Sequence, residues 1–548
     1  MKAHSDSFDA ANGDRGTWAV SCFEKSASVK LSRRTMIQRS LGFLGAISPI
    51  AAFGSVGRPR ACLNVRDFGA SGDGQSIDSA AVQRAIDTAA ASGGGRVLFP
   101  PGKYLSFSIQ LKSHVTLEFG SGATLQAATP SLGKGYDVAE PQLRSVNAFQ
   151  DFGHNHWHNS LLWGEDVDDV AVIGPGLLYG PGLIKADGPT EETPGAGDKV
   201  IALKNCTNVI LRDLKVLDAG HFGVLATGVE GLTIENLLVD SNRDGIDIDC
   251  CRNVHVSNCT VNSPWDDAIV IKSSYALGEL RPCEQITITG CIVSGCYVPG
   301  SVLSGKYLPF TGVEKDPPSY VGRIKIGTET SGDVRNIVVS DCVFQGCRGI
   351  TLVSEDGGHV EDVAVSNITM RDCFGAPILL RLGNRLRGPA GTQVGALRRI
   401  SMEGITSWNA RPKVCAVIAG VPGHCVEDVA LRNLRFHHAP GGEVRVGEVP
   451  EDGAGYPDVE MFGTTPAQGL YVRHVEGLDV EDMIVSSDEP DSRPVVVLDD
   501  VQSSELRFIR LQEPEAQHSD ALAVGRQMKD VQLIGQDGRL VPIAVYTP

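Results

Sequence analysis

A six-residue phrase recurs nine times in this chain: apolar, any, apolar, polar, then Asn, Asp or Gly, then apolar. Its fifth places are Asp213, Asn236, Asn258, Gly290, Asp341, Asn367, Gly404, Asn433 and Asp482. These three residue types enter the left-handed backbone region at little steric cost, so each phrase predicts a short strand that ends in a sharp bend. The first and third places, such as Val209/Leu211, Leu232/Ile234, Val254/Val256, Ile286/Ile288 and Ile337/Val339, set apolar side chains on one face at period two. One bent strand cannot bury that face alone, whereas stacked copies can. The pattern predicts an all-β chain folded as a right-handed, single-stranded parallel β-helix.

The phrases begin 23 and 22 residues apart from Val209 through Leu232 to Val254, and later intervals stretch to 51 residues before Ile337 and 49 before Leu478. Each coil adds only one strand layer of roughly 4.8 Å. The excess chain therefore leaves the stack as loops, where a solenoid builds its binding walls. Ahead of the repeats, Asp78 stands before Ser79–Ser92, whose Ala81, Val82, Ala85, Ile86 and Ala89 share one helical face. Asp78 is expected to cap this helix. The helix is expected to plug the first coil, because an uncovered end would expose both core and strand edge. A stack of repeats extends one domain rather than adding new ones, so residues 60–548 are expected to form a single catalytic domain.

Residues 1–54 read differently. Ser32-Arg33-Arg34-Thr35-Met36-Ile37 precedes the apolar run Leu41–Ala52, the layout of a twin-arginine export signal. The run is too short and Gly-rich to anchor in a bilayer, so after its removal no membrane association is expected, and the mature protein should be periplasmic or secreted, as a monomer. This segment holds seven Lys or Arg against four Asp or Glu, so the rest of the chain carries a formal charge of -20 out of a total of -17. Such acidity argues against nucleic acid as a partner. Of the 14 cysteines, Cys259, Cys291 and Cys342 fall on the sixth place of the phrase, which other coils fill with Leu, Ile or Met. They are expected as stacked small hydrophobes rather than halves of disulfides.

Chemistry emerges when a second strand of each coil is aligned. Asp244-Gly-Ile-Asp-Ile248, Asp267-Ala-Ile-Val-Ile271 and Gly322-Arg-Ile-Lys-Ile326 fall on successive coils with Ile246, Ile269 and Ile324 pointing inward. Asp244 and Asp267 then take equivalent places about one strand spacing apart, Asp266 adjoins them, and Arg323 and Lys325 follow on the next coil. Crowded carboxylates repel one another, so at least one should keep its proton near neutrality while others stay ionised, the division that acid and base catalysis requires. Asp247 and Asp249 are read as outward, solvated positions. His154, His156 and His158 alternate on one strand face, and are expected to form a polar, aromatic substrate loop rather than a metal site.

At these residues the chain resembles glycoside hydrolase family 28, the polygalacturonase family. Asn242-Arg243-Asp244-Gly-Ile-Asp-Ile248 is similar to the family's Asn-Thr-Asp-Gly-(Ile/Phe)-Asp-Ile, Trp265-Asp266-Asp267 to its Gly-Asp-Asp, and Arg323-Ile324-Lys325 to its Arg-Ile-Lys. The resemblance implies inverting hydrolysis of pectic poly- or oligosaccharide without a cofactor. Asp266 would be the general acid, Asp244 and Asp267 would activate water, and Arg323 and Lys325 would grip a uronate carboxylate. The family's Gly-His-Gly is absent, since Ser294–Ser304 contains no histidine. His221 is expected to contact sugar from another wall. The insertion from Tyr297 to Tyr320 is expected to rise beside the site and close one end of the groove, which favours exo-attack or branched pectin over cutting of long smooth chains. Two other readings of the scaffold are a polysaccharide lyase or epimerase, which would often use Ca²⁺, and a carbohydrate-binding β-helix without turnover.

Overall fold

The computed structural model describes residues 61–131, 135–141, 148–149, 153–184, 195–241, 243–310, 320–411, 413–439, 448–512 and 522–546. The proposed export signal lies outside these residues. Every ladder between the described strands is parallel, and among the described residues there is one α-helix, Ser79–Ala91. A representative coil runs through Lys199–Lys204, Thr207–Arg212 and Lys215–Leu217, and each strand pairs with its counterpart in the next coil, Phe222–Thr227, Glu230–Glu235 and Leu238–Asp240. The parallel β-helix is thus observed, with a third short strand after the bend in the coils up to Asp341 and one long strand running through the bend in the coils from Asn367 to Asp482.

All nine fifth places adopt positive φ, from 52° at Asn433 to 67° at Gly404. A second bend lies five residues before each of them, at Asn208, Gly231, Asn253, Gln285, Asn336, Asp362, Arg399, Asp428 and Gly477, and it too has positive φ in all nine coils. This bend escapes the sequence pattern because Gln285 and Arg399 carry side chains for which the region is costly. Stacking offsets part of that cost. These two residues bond to the neighbouring coil, Arg399 Nε donating to Asp362 at 2.7 Å and Gln285 Oε1 accepting from Arg252 Nε at 3.1 Å.

The inward residues form one continuous core. The sixth places, including Cys259, Cys291 and Cys342, are all buried in it, as expected. Helix residues Ala81, Val82, Ala85, Ile86 and Ala89 are buried against the first coil. Asp78 does not cap the helix with its side chain. Its carboxylate instead accepts from the backbone N–H groups of Ser71 and Gly72, at 2.7 and 3.0 Å, and so ties the preceding loop to the helix start.

Two apolar clusters lie outside the core, where chain excursions cover the sheet that carries the site. Trp157 packs with Trp163, Ala202, Phe222 and Leu225 on the earlier coils. Val449, Val459 and Phe462 pack with Leu379, Val417, Tyr471 and Val497 on the later ones.

Candidate active site

Between those two covers, the strands Asp244–Asp249, Ile269–Ser273 and Ile324–Thr330 stack in the expected register, Ile246 against Ile269 against Ile324. The three isoleucines are buried, which fixes the facing of every side chain between them. One carboxylate oxygen from each of Asp244, Asp266 and Asp267 lies within 4.8 Å of the others. They line a cavity of about 300 Å³ together with His154, His221, Arg243, Lys272, Lys325, Thr328, Glu329 and Tyr456.

The environments of the carboxyls differ. Asp244 is buried, and burial together with Asp247, Asp266 and Asp267 pushes its pKa well above the ordinary carboxyl range, making it a weaker acid. Burial also opposes ionisation of Asp267, but Lys325 and Arg323 outweigh it and hold Asp267 down at about 2. Arg323 Nε donates to Asp267 Oδ1 at 2.8 Å and Lys325 Nζ stands 3.1 Å from Oδ2. Asp266 is the most exposed of the three, and Arg243 Nη2 donates to its Oδ2 at 2.8 Å. Asp244 and Asp267 are thus pulled in opposite directions, Asp244 towards its protonated form and Asp267 towards its ionised form.

This division has a measurable consequence for stability. Between about pH 2 and the ordinary Asp value of about 3.9, folded Asp267 binds fewer protons than the unfolded chain does. Its stabilisation is complete above that range and is lost as pH falls towards 2. Asp244 behaves oppositely, because above about pH 3.9 the unfolded group ionises while the folded one stays protonated. Denaturation midpoints of Asp244→Asn are therefore expected to gain on the parent as pH rises from 4 to 8, and a gap independent of pH would refute a protonated Asp244.

The expected substrate-binding cations separate. Lys325 lines the cavity, with Thr328 Oγ1 at 3.3 Å and the Tyr456 hydroxyl at 3.4 Å from Nζ. Arg323 is 2 % exposed, is not among the cavity-lining residues, and is engaged by Asp267, Thr351 and Asp458. His221 does line the cavity. Burial, then Arg243, keeps its imidazole well below the usual range, so it enters neutral.

Asp247 and Asp249 are buried rather than solvated. Asp249 accepts from the backbone N–H and hydroxyl of Ser274 at 2.8 and 2.5 Å. Asp247 accepts from Lys272 at 3.0 Å, and the same ammonium reaches Glu329 at 3.5 Å and His154 Nε2. Burial opposes the charge on Lys272, but Asp247, Glu329 and Asp244 override it and raise its basicity. His154, Asp244 and Asp247 offer ligand atoms close enough for a metal ion, yet the Lys272 ammonium already supplies the positive charge there. His156 and His158 do not join His154. His156 contacts Asn159 at 2.7 Å, and His158 contacts Glu165 at 2.7 Å.

Sequence reasoning missed Lys272, Glu329 and Tyr456. Lys272 is in register with Asp249 one coil earlier, a signal that alignment of the strands could have supplied. Tyr456 comes from an aperiodic stretch more than a hundred residues beyond Lys325 and left no local trace. The described part of the insertion, Tyr297–Phe310, contributes no cavity-lining residue. It is tied to the side of the stack, where Asp240 accepts from the backbone N–H groups of Val302 and Leu303 at 3.0 Å each. Tyr456, on the excursion that covers the later coils, and His154, beside Trp157, wall the cavity instead.

Residues 62–300 match the family model described as rhamnogalacturonase A/epimerase, pectate lyase-like. The chain is 26% identical over 306 residues to a probable polygalacturonase of Vitis vinifera, covering 50% of this chain and 53% of that one. The matched region thus spans about half the length of that curated relative. Among solved structures, the family 28 exopolygalacturonase of Yersinia enterocolitica aligns with a TM-score of 0.58 at 17% identity, over 88% of this chain and 80% of that one. The exopolygalacturonase of Thermotoga maritima aligns at 0.52 and 18% identity, over 88% and 93%. At such identities these two alignments show the shared fold.

Proposed function

We propose that the protein is a glycoside hydrolase that cuts pectic, uronate-containing saccharides from a chain end. The observation that carries this reading is the convergence of Asp244, Asp266 and Asp267 within 4.8 Å in one small cavity, with unequal hold on their protons. Asp267, kept ionised by its two cations, takes the proton from the attacking water. Asp266 faces the leaving oxygen and donates to it, with Asp244 as the neighbouring proton store. Lys325, and Arg323 behind it, supply the positive charge that draws a uronate to the site.

The cavity of about 300 Å³ is at the small end of ligand sites, roughly 300–1,000 Å³. A pocket of that size, walled by His154 and Tyr456, suits the end of a chain better than its middle. Inversion follows from the likeness to polygalacturonases, whereas carboxyls this close depart from the roughly 6.5–9.5 Å usual for inverting pairs. The anomeric form of the first product, read by NMR, decides between them.

The decisive experiment is incubation with homogalacturonan, rhamnogalacturonan and short oligogalacturonides, followed by chromatography. Saturated monomer or dimer is expected from the first minutes onward, and turnover should survive a chelator. Unsaturated products that absorb in the ultraviolet would replace hydrolysis with elimination. Asp266→Asn is expected to lower turnover by about 10²–10⁴-fold while leaving saccharide affinity intact. Turnover unchanged in that variant would remove Asp266 from the chemistry.

A further inference from the structure

The excursion that carries Tyr456 also places a carboxylate where a substrate carboxylate was expected. Asp458 Oδ1 and Oδ2 each stand 3.4 Å from a terminal nitrogen of Arg323, and Oδ2 also pairs with Nη1 of Arg348. These guanidinium groups have further carboxylate partners, Asp267 for Arg323 Nε at 2.8 Å and Glu460 for Arg348 Nη2 at 2.8 Å. Asp458 is held firmly in place. Its Oδ1 accepts from the backbone N–H of Val459 at 2.8 Å, and Val459 and Phe462 are buried against Leu379 and Tyr471.

Two guanidinium groups converging on one carboxylate is the arrangement by which proteins bind a free carboxylate ligand. A uronate brought to the same place would find those donors taken and a like charge facing it, which is costly at close range. We propose that Asp458 is a built-in replacement for a substrate carboxylate at Arg323 and Arg348, just behind the cavity wall that Tyr456 forms, and that it sets specificity by making the sugar position against that wall accept a neutral ring and reject a uronate. A uronate that reaches Lys325, which lines the cavity, would still meet an ammonium there. The bond cut would then join a uronate to a neutral sugar. This deepens the hydrolase reading and rests on it for its catalytic consequence.

The test compares the parent with Asp458→Asn, which keeps shape and removes charge, and Asp458→Glu, which keeps charge. Calorimetric titration with galacturonate and with galactose needs no turnover. Asp458→Asn is expected to bind galacturonate about tenfold or more tightly than the parent does, with galactose affinity unchanged, whereas Asp458→Glu should retain the parent's preference. On oligosaccharides, the ratio of kcat/KM for a uronate leaving group to that for a neutral one should rise by a similar factor in Asp458→Asn alone. Equal galacturonate affinity in parent and Asp458→Asn, or equal losses for both sugars, would overturn the proposal and leave Asp458 a structural residue. If none of the proteins hydrolyses any saccharide, the hydrolase reading fails, and the titrations still decide the role of Asp458.

Discussion

Asp267→Asn is expected to lower kcat by about 10²–10⁴-fold and, in the same variant, to cost about 3–5 kcal/mol of folding stability. The kinetic loss follows from removing the one carboxylate of the cluster that its neighbours hold ionised at about 2. The stability loss has a separate cause. Arg323 and Lys325 are each 2 % exposed and both contact Asp267, so a neutral amide leaves two buried cations short of their countercharge. Steady-state kinetics and chemical denaturation of the same preparation measure the two effects. Full stability in this variant would mean that Asp267 is not what balances the two cations, and full activity would remove Asp267 from the reaction.

Lys272→Met should act on stability with comparable force, at about 3–5 kcal/mol. Methionine preserves much of the length and apolar stem, so the effect isolates the ammonium. Without it, Asp247 loses the ammonium at 3.0 Å and Glu329 the one at 3.5 Å, although Glu329 keeps Arg387 at 3.0 Å, and Asp244 loses a neighbour that favours its ionised form. The denaturation midpoint should fall at neutral pH and recover partly as pH is lowered and carboxylates take up protons. A midpoint that does not move would show that Lys272 is not what neutralises these groups.

Both predictions concern charges that stand behind the reacting carboxyls, and this layer was the least legible part of the site. The Asp244, Asp266, Asp267, Arg323 and Lys325 constellation could be read from the chain because each member keeps a fixed register to a core isoleucine. Burial could not be read in the same way. Asp247 looks like any outward residue of a strand, and only the excursions folded over that face take it out of water. The same covering changed the standing of Arg323, expected as a ligand-facing cation and found enclosed by the chain's own carboxylates. The second bend of each coil shows another limit. Gln285 and Arg399 adopt positive φ because their stacked neighbours do, and no preference of their own announces it.

The solenoid was written in the residues, because period-two burial and a left-handed bend are local properties repeated nine times, and repeats can satisfy their apolar faces only by stacking. The same residues also determined which carboxylates meet, since stacking converts equal register into proximity. What the tertiary structure alone decided is the enclosure of that meeting point. Tyr456 and Asp458 reach it from a segment without periodicity, held by Val459 and Phe462 against the outside of distant coils. Contacts of that kind depend on where a long loop lands, and on the burial and charge it imposes there, neither of which is written in the residues of the strand beneath.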